Sequence, residues 1–215
     1  MKEPRSIPKG AGAPPGDRVS MGTANRRSLL ALLCCGLLAV ILAACDVFAP
    51  RTPEAPISEA GTFTQPDAPD LVVENLQAAI AELNTANYRR SLAEDLTFEP
   101  TAVAQARAPT LWSSWSRTEE ISYFSTLAEA ARQGSGHALR LEDRATEVSD
   151  TRYTLDATYL LVVHHRRPGV PDTVQGRLVW DIEQGLDGLW RLQRWTDQEL
   201  GSSPSWSDLK AEFGK

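Results

Sequence analysis

Between Arg26-Arg27 and Asp46 the chain carries no charged residue, and from Leu29 to Ala44 it is apolar on every side. A basic flank, an apolar core and a run of small residues ending at Ala43-Ala44-Cys45 form the layout of a secretory signal. Two other readings fit less well. A membrane-spanning helix needs about 20 apolar residues, and this run is shorter. A helix of a soluble core would show a polar stripe, and this one has none. Residues 1–44 are therefore expected to leave as a signal peptide, so that fold reasoning begins after them.

Leu42-Ala43-Ala44-Cys45 resembles the lipobox of bacterial lipoproteins. The resemblance implies a diacylglycerol on the Cys45 thiol, cleavage before that residue, and a further acyl chain, palmitate for example, on the new amine. Each buried methylene contributes about 0.8 kcal/mol, and stable anchoring takes more than one chain. Cys45 is thus the expected lipid-attachment site, and the membrane the first expected partner. Asn25-Arg26-Arg27-Ser28 is loosely similar to a twin-arginine export signal but lacks its Ser/Thr, so the general export route is expected. Asp46 resembles the retention signal of some Gram-negative lipoproteins, which would hold the protein on the periplasmic face of the inner membrane.

Cys34, Cys35 and Cys45 are the three cysteines. The first two lie in the signal and the third carries lipid, which leaves no thiol for a disulfide or a thiolate-bound metal. The full chain has 22 basic and 28 acidic residues. Losing residues 1–44 removes six basic residues (Lys2, Arg5, Lys9, Arg18, Arg26, Arg27) and two acidic ones (Glu3, Asp17). That leaves 16 basic against 26 acidic, a net charge of −10. Such a balance argues against nucleic acid as a partner and against flat adhesion to an anionic bilayer. Residues 45–69, with prolines at 50, 53, 56, 66 and 69, read as an extended tether.

Residues 70–198 carry the pattern of one folded domain, with 199–215 as a loop and short helix beyond it. Asp70 is placed to cap a helix with Leu71, Val72, Leu76, Ala79, Ile80 and Leu83 on one face. A second short helix carries Tyr88 and Leu92, and Leu96–Glu99 is a short strand stopped by Pro100. Residues 101–114 read as a loop. Ser116 and Glu119 have the spacing of a capping box ahead of a helix bearing Ile121, Phe124, Leu127, Ala128 and Ala131, closed by Gly134. The period then changes to two. Four strands follow, marked by Leu139/Leu141/Ala145, by Tyr153 to Val163, by Val174 to Ile182 and by Leu189 to Thr196. Turns fall at Arg166–Gly169 and Gly185–Gly188, and Ser205 caps a last helix holding Trp206, Leu209 and Phe213.

Helices followed by an antiparallel meander make an α+β protein, with N-terminal helices packed on a curved antiparallel sheet. The element order, the Asn87-Tyr88 helix leading into Asp95-Leu96-Thr97-Phe98, and the Trp-rich final strands resemble the NTF2-like (SnoaL-like) superfamily. In that family the sheet wraps a long helix into a cone with a pocket. A cystatin-like helix-on-sheet arrangement is the alternative.

The resemblance also implies where chemistry would sit: an Asp, His or Tyr inside the cone. Strand alternation turns Asp156 outward and Tyr159 inward, with His165 beside it at the strand end. Trp112 and Trp115, in the segment entering a helix, would border the pocket mouth. The candidate binding residues are therefore Tyr88, Trp112, Trp115, Tyr159 and His165. No set of base, acid and oxyanion donor assembles from them. His164-His165 point to opposite faces, so no metal or other cofactor is expected. The expected function is a non-catalytic extracytoplasmic module that binds a small apolar ligand or an envelope protein. The alternative is an isomerase- or dehydratase-type enzyme acting on a hydrophobic substrate.

Overall fold

The computed structural model describes residues 61–131 and 136–214. The signal, Cys45 and most of the tether lie outside the described residues, as does Gly134. Among those described, no helix is long and apolar enough to cross a membrane.

The first helix, α1, runs Pro69–Glu82. Pro69 sits in its first turn, where a missing N–H costs nothing, and Ala68 is the cap residue with no side-chain bond. Asp70 is therefore not the cap expected from the sequence. It lies two residues past the cap position, in the helix's first turn, and accepts instead from the Tyr153 hydroxyl at 2.9 Å. The helix ends on Leu83 in the left-handed conformation (φ 54°), whose N–H returns to Ala79 and Ile80. Asn84 then caps α2, Thr85–Arg90, by accepting from the Asn87 N–H.

Leu92 does not belong to that helix. It opens β1, Leu92–Glu99, which is longer than the strand expected from Leu96. The segment expected as a loop holds two short helices, α3 (Ala102–Arg107) and α4 (Pro109–Trp112). Thr101 caps the first and Pro109 begins the second, signals that the small polar composition obscured. The capping box at Ser116 and Glu119 forms as expected and opens α5, Arg117–Ala130.

The meander follows: β2 Ala138–Val148, β3 Arg152–Val162, β4 Thr173–Gln184 and β5 Trp190–Glu199. With β1 they form one five-stranded sheet in the order β1-β5-β4-β3-β2. Every pairing is antiparallel except β1 with β5. Each of those two strands' pairings carries a register shift, as does β2 with β3, and such bulges bend a sheet. In β5 the extra residue is Gln193, because Leu192 faces Ile182 while Arg194 faces Asp181. The shift turns Trp195 and Asp197 onto the buried face. Finally α6, Trp206–Phe213, is opened by Ser205 and Asp208, which bond reciprocally across its first turn. The protein is thus an α+β fold, with helices on one face of a curved, mostly antiparallel sheet.

The core lies between that face and the helices. Tyr153, Leu155, Ala157, Tyr159 and Leu161 of β3 are buried, as are Val174, Leu178, Trp180 and Ile182 of β4. Val72, Leu76 and Ile80 of α1 and Phe124 and Leu127 of α5 cover them.

Candidate functional site

The five candidate residues all fall inside this core. Tyr88, Trp112, Trp115, Tyr159 and His165 are each 7 % exposed or less. Asp156 faces outward, as alternation requires, and pairs with Arg177 at 2.6 Å. His165 is held by its surroundings: its Nδ1 accepts from the Arg167 N–H and its Nε2 faces the Pro171 carbonyl, both at 3.3 Å. Its ring meets Phe213 edge-on at 5.1 Å. No cluster of His, Cys, Asp or Glu with metal-binding geometry occurs among the described residues.

What organises the interior is a set of charged residues that sequence reading did not single out. Glu120 on α5 and Lys210 on α6 are both fully buried and meet at 2.7 Å. The same carboxylate accepts from the Tyr88 hydroxyl at 2.7 Å and from the Trp115 indole N–H at 2.8 Å. Two of the candidate residues therefore serve to satisfy Glu120. The ammonium of Lys210 lies 3.4 Å from the ring centroids of both Phe98 and Trp195. The rings of Tyr123, Trp115 and Trp206 stand around it at 5.8 to 6.0 Å. A cation over ring faces in a dry site is held by the ring quadrupoles as well as by its counter-ion.

Asp197 is the third buried charge. Its carboxylate accepts from the Tyr159 hydroxyl at 2.8 Å, and from the Ser207 N–H and hydroxyl at 2.7 and 2.6 Å. It thus stands at the N-terminus of α6, where the helix dipole favours an anion. The Tyr159 oxygen in turn accepts from the Trp206 N–H at 2.7 Å, and the Trp206 indole donates to Tyr123 at 2.9 Å. Apart from the Tyr159–Asp197 bond, which lies within the sheet, each of these contacts ties α6 to the sheet or to α5.

Burial sets how these groups titrate. It pushes Lys210 down to about 8, outweighing the opposing pull of Glu120. It raises Asp197 above the usual carboxylate range, against hydrogen bonds from Ser207 and Tyr159 that hold it down. Tyr88, Tyr123 and Tyr159 are all raised, first by burial and next by the neighbouring carboxylates. A lysine near 8 and a raised aspartate are groups that acid–base catalysis uses. Here, however, they are enclosed by side chains, with Glu120 and Lys210 at 0 % exposure and Asp197 at 2 %.

A signal for these residues was present in the sequence. Glu120 falls at helical spacing with Phe124 and Leu127, and Lys210 with Trp206 and Phe213, so each occupies an apolar stripe. Charge alone suggested exposure. Asp197 was hidden by the Gln193 bulge, which no alternation pattern reveals.

The surface offers clefts lined by other residues. One of about 710 Å³ is bounded by Phe63, Arg89, Arg90, Arg117 and Arg191. A second, of about 740 Å³, lies between the Pro168–Pro171 turn and the loop before α6.

No protein-family model matches the sequence, and no curated protein matches it. Solved structures are similar to it in fold. An NTF2-like protein of unknown function in nutrient uptake from Rhodospirillum rubrum is 13% identical, with a TM-score of 0.48 over 62% of this chain and 98% of its own. An NTF2-like protein from Cytophaga hutchinsonii is 12% identical, with a TM-score of 0.46 over 60% and 93%. A ketosteroid isomerase-like protein from Erwinia carotovora is 9% identical, with a TM-score of 0.45 over 68% and 99%.

Proposed function

We propose that this chain is a lipid-anchored, extracytoplasmic binding or scaffolding module that engages an envelope protein through its outer surface and catalyses no reaction. The observation that carries the reading is the seating of Lys210 and Trp206. The space inside the sheet, where the resembled cone would admit a small apolar ligand, is filled by the chain's own α6. An interior closed by three hydrogen-bonded charges favours contact on the outside. The lipobox resemblance at Cys45 supports the anchor, and the excess of acidic residues supports a body held away from an anionic bilayer.

The enzyme reading keeps one observation in its favour, the displaced titration of Lys210 and Asp197. It requires α6 to leave its seat before a substrate could reach them.

The anchor is tested by expressing the full chain and its Cys45→Ser variant in a bacterial host, followed by detergent phase partitioning and intact-mass analysis. The expected result is a wild-type chain that begins at a diacylglyceryl-modified Cys45 and enters the detergent phase, with a variant that is neither modified nor cut there. An unmodified, uncut wild-type N-terminus, or a product free in the cytosol, would overturn the anchor and the envelope partner with it.

A further inference from the structure

Residues 61–66 are strapped to α1 by bonds to Glu82 and Asn75 and to α2 by a bond from Asn87, and they join the sheet where the Trp190 N–H donates to the Pro66 carbonyl at 2.8 Å. Beside that strap, four arginines from three separate elements line one cleft of about 710 Å³. Arg89 and Arg90 come from the last turn of α2, Arg117 from the first residue of α5, and Arg191 from β5. In a chain with 22 basic and 28 acidic residues, this is a concentration of positive charge against the overall balance.

Local carboxylates offset about half of it. Arg191 is held by Asp187 through two contacts, at 2.6 and 3.1 Å. Arg117 meets Glu94 at 3.2 Å and donates to the Arg89 carbonyl. Glu94 is 87 % exposed, however, so that pair is a weak one, and the Arg117 Nε has no acceptor among the described residues. No carboxylate among the described residues pairs with Arg89 or Arg90. Arg90 instead stands over the Phe63 ring, 3.8 Å from its centroid, and donates from Nη1 to the Asn87 Oδ1 at 3.4 Å, two contacts that hold the guanidinium at the cleft. Leu92 and Leu189 add an apolar wall.

From this juxtaposition we infer an anion-binding site for a phosphate ester that carries an apolar substituent. Guanidinium forks match phosphate oxygens in geometry and charge. Arg89 and Arg90, paired with no carboxylate among the described residues, offer the donors for the phosphate oxygens. Arg117 and Arg191 add charge around the same cleft, although Glu94 also lines it, and Phe63, Leu92 and Leu189 suit the carbon skeleton. Two sources supply such chemistry, a phospholipid headgroup and a soluble phosphate ester. The inference stands independently of Cys45, because every residue it names lies within the described fold.

The test is calorimetric titration of the full chain, purified in a non-ionic detergent. The probes are glycerol 3-phosphate, dihexanoylphosphatidylglycerol below its micellar concentration, and dihexanoylphosphatidylcholine. Binding of either anionic probe is expected, and Arg89→Gln/Arg90→Gln is expected to weaken it by roughly tenfold or more, the scale of losing a charged hydrogen bond. The same charge change on the far edge strand, Arg140→Gln/Arg144→Gln, should leave it unchanged. If the first variant loses its near-ultraviolet circular dichroism, Arg191→Gln replaces it with the same expectation. Phosphatidylglycerol binding well above glycerol 3-phosphate identifies the lipid headgroup, and equal binding identifies a soluble ester. The site is refuted if neither anionic probe binds below millimolar concentration, if both charge variants lose affinity equally, or if phosphatidylcholine binds as well as phosphatidylglycerol.

Discussion

Replacing Lys210 by methionine isolates what the buried ion pair does. The methionine keeps most of the aliphatic stem between Phe98 and Trp195, so that the change is chiefly electrostatic. Glu120 keeps its hydrogen bonds from Tyr88 and Trp115 but loses its cation in a fully enclosed site. Removing one partner of a buried pair costs about 3–5 kcal/mol. For a domain of this size that is a fall in Tm of roughly 10 °C. Adding Glu120→Gln removes the stranded charge, so the double variant should recover most of the loss, with a coupling of about 2–3 kcal/mol between the two changes. Urea denaturation followed by tryptophan fluorescence reads the wild type, the two single variants Lys210→Met and Glu120→Gln, and the double variant.

The same lysine gives a pH signature. Its folded-state value, about 8, lies below its ordinary 10.5. Between those values the unfolded chain binds more protons than the folded one, so stability should rise as pH increases from 8. Above about pH 10 the buried tyrosines oppose the rise, because they ionise in the unfolded chain first. Lys210→Met should abolish the gain between pH 8 and 10. A single variant within about 1 kcal/mol of wild type, with no coupling and no change in pH slope, would refute the seating of Lys210 in the core.

Two further outcomes bear on the interior. Gly176→Ala should destabilise by about 1–3 kcal/mol through overpacking, because a Cβ there would stand 2.5 Å from the Tyr159 hydroxyl and 2.6 Å from the Gln198 carbonyl; thermal unfolding measures it, and an unchanged midpoint would mean that this contact is loose. Lys210 should resist a small amine-directed reagent at pH 8 in the folded protein, with peptide mass spectrometry comparing it with unfolded chain; labelling at the unfolded-chain rate would show that α6 opens, and would revive the enzyme reading.

The parts of this structure that sequence made legible are those where local chemistry and tertiary packing agree. Alternation from Tyr153 to Val163 and from Val174 to Ile182 marked both central strands, because each has one buried face. The capping signals at Ser116 and Ser205 likewise formed as written. Where a local signal is weak, tertiary contacts decided. Leu92 looked like the end of a helix, yet β1 begins there because its backbone is claimed by β5, about a hundred residues later. Of the candidate residues, strand alternation turns Tyr159 inward, where it is buried, whereas Trp115, expected at a pocket mouth, and Tyr88, which carries no such signal, are buried in the core as well. What they touch was not legible, since their partners Glu120 and Asp197 are charged residues on buried faces, and the Arg89–Arg191 cleft joins elements distant in sequence.

The parallel pairing of β1 with β5 and the contact of Glu120 with Lys210 both join residues ninety or more positions apart. Neither can form before its later partner has been made, so the β1 edge of the sheet waits for β5 and the buried ion pair waits for residue 210. Long-range topology of this kind slows folding.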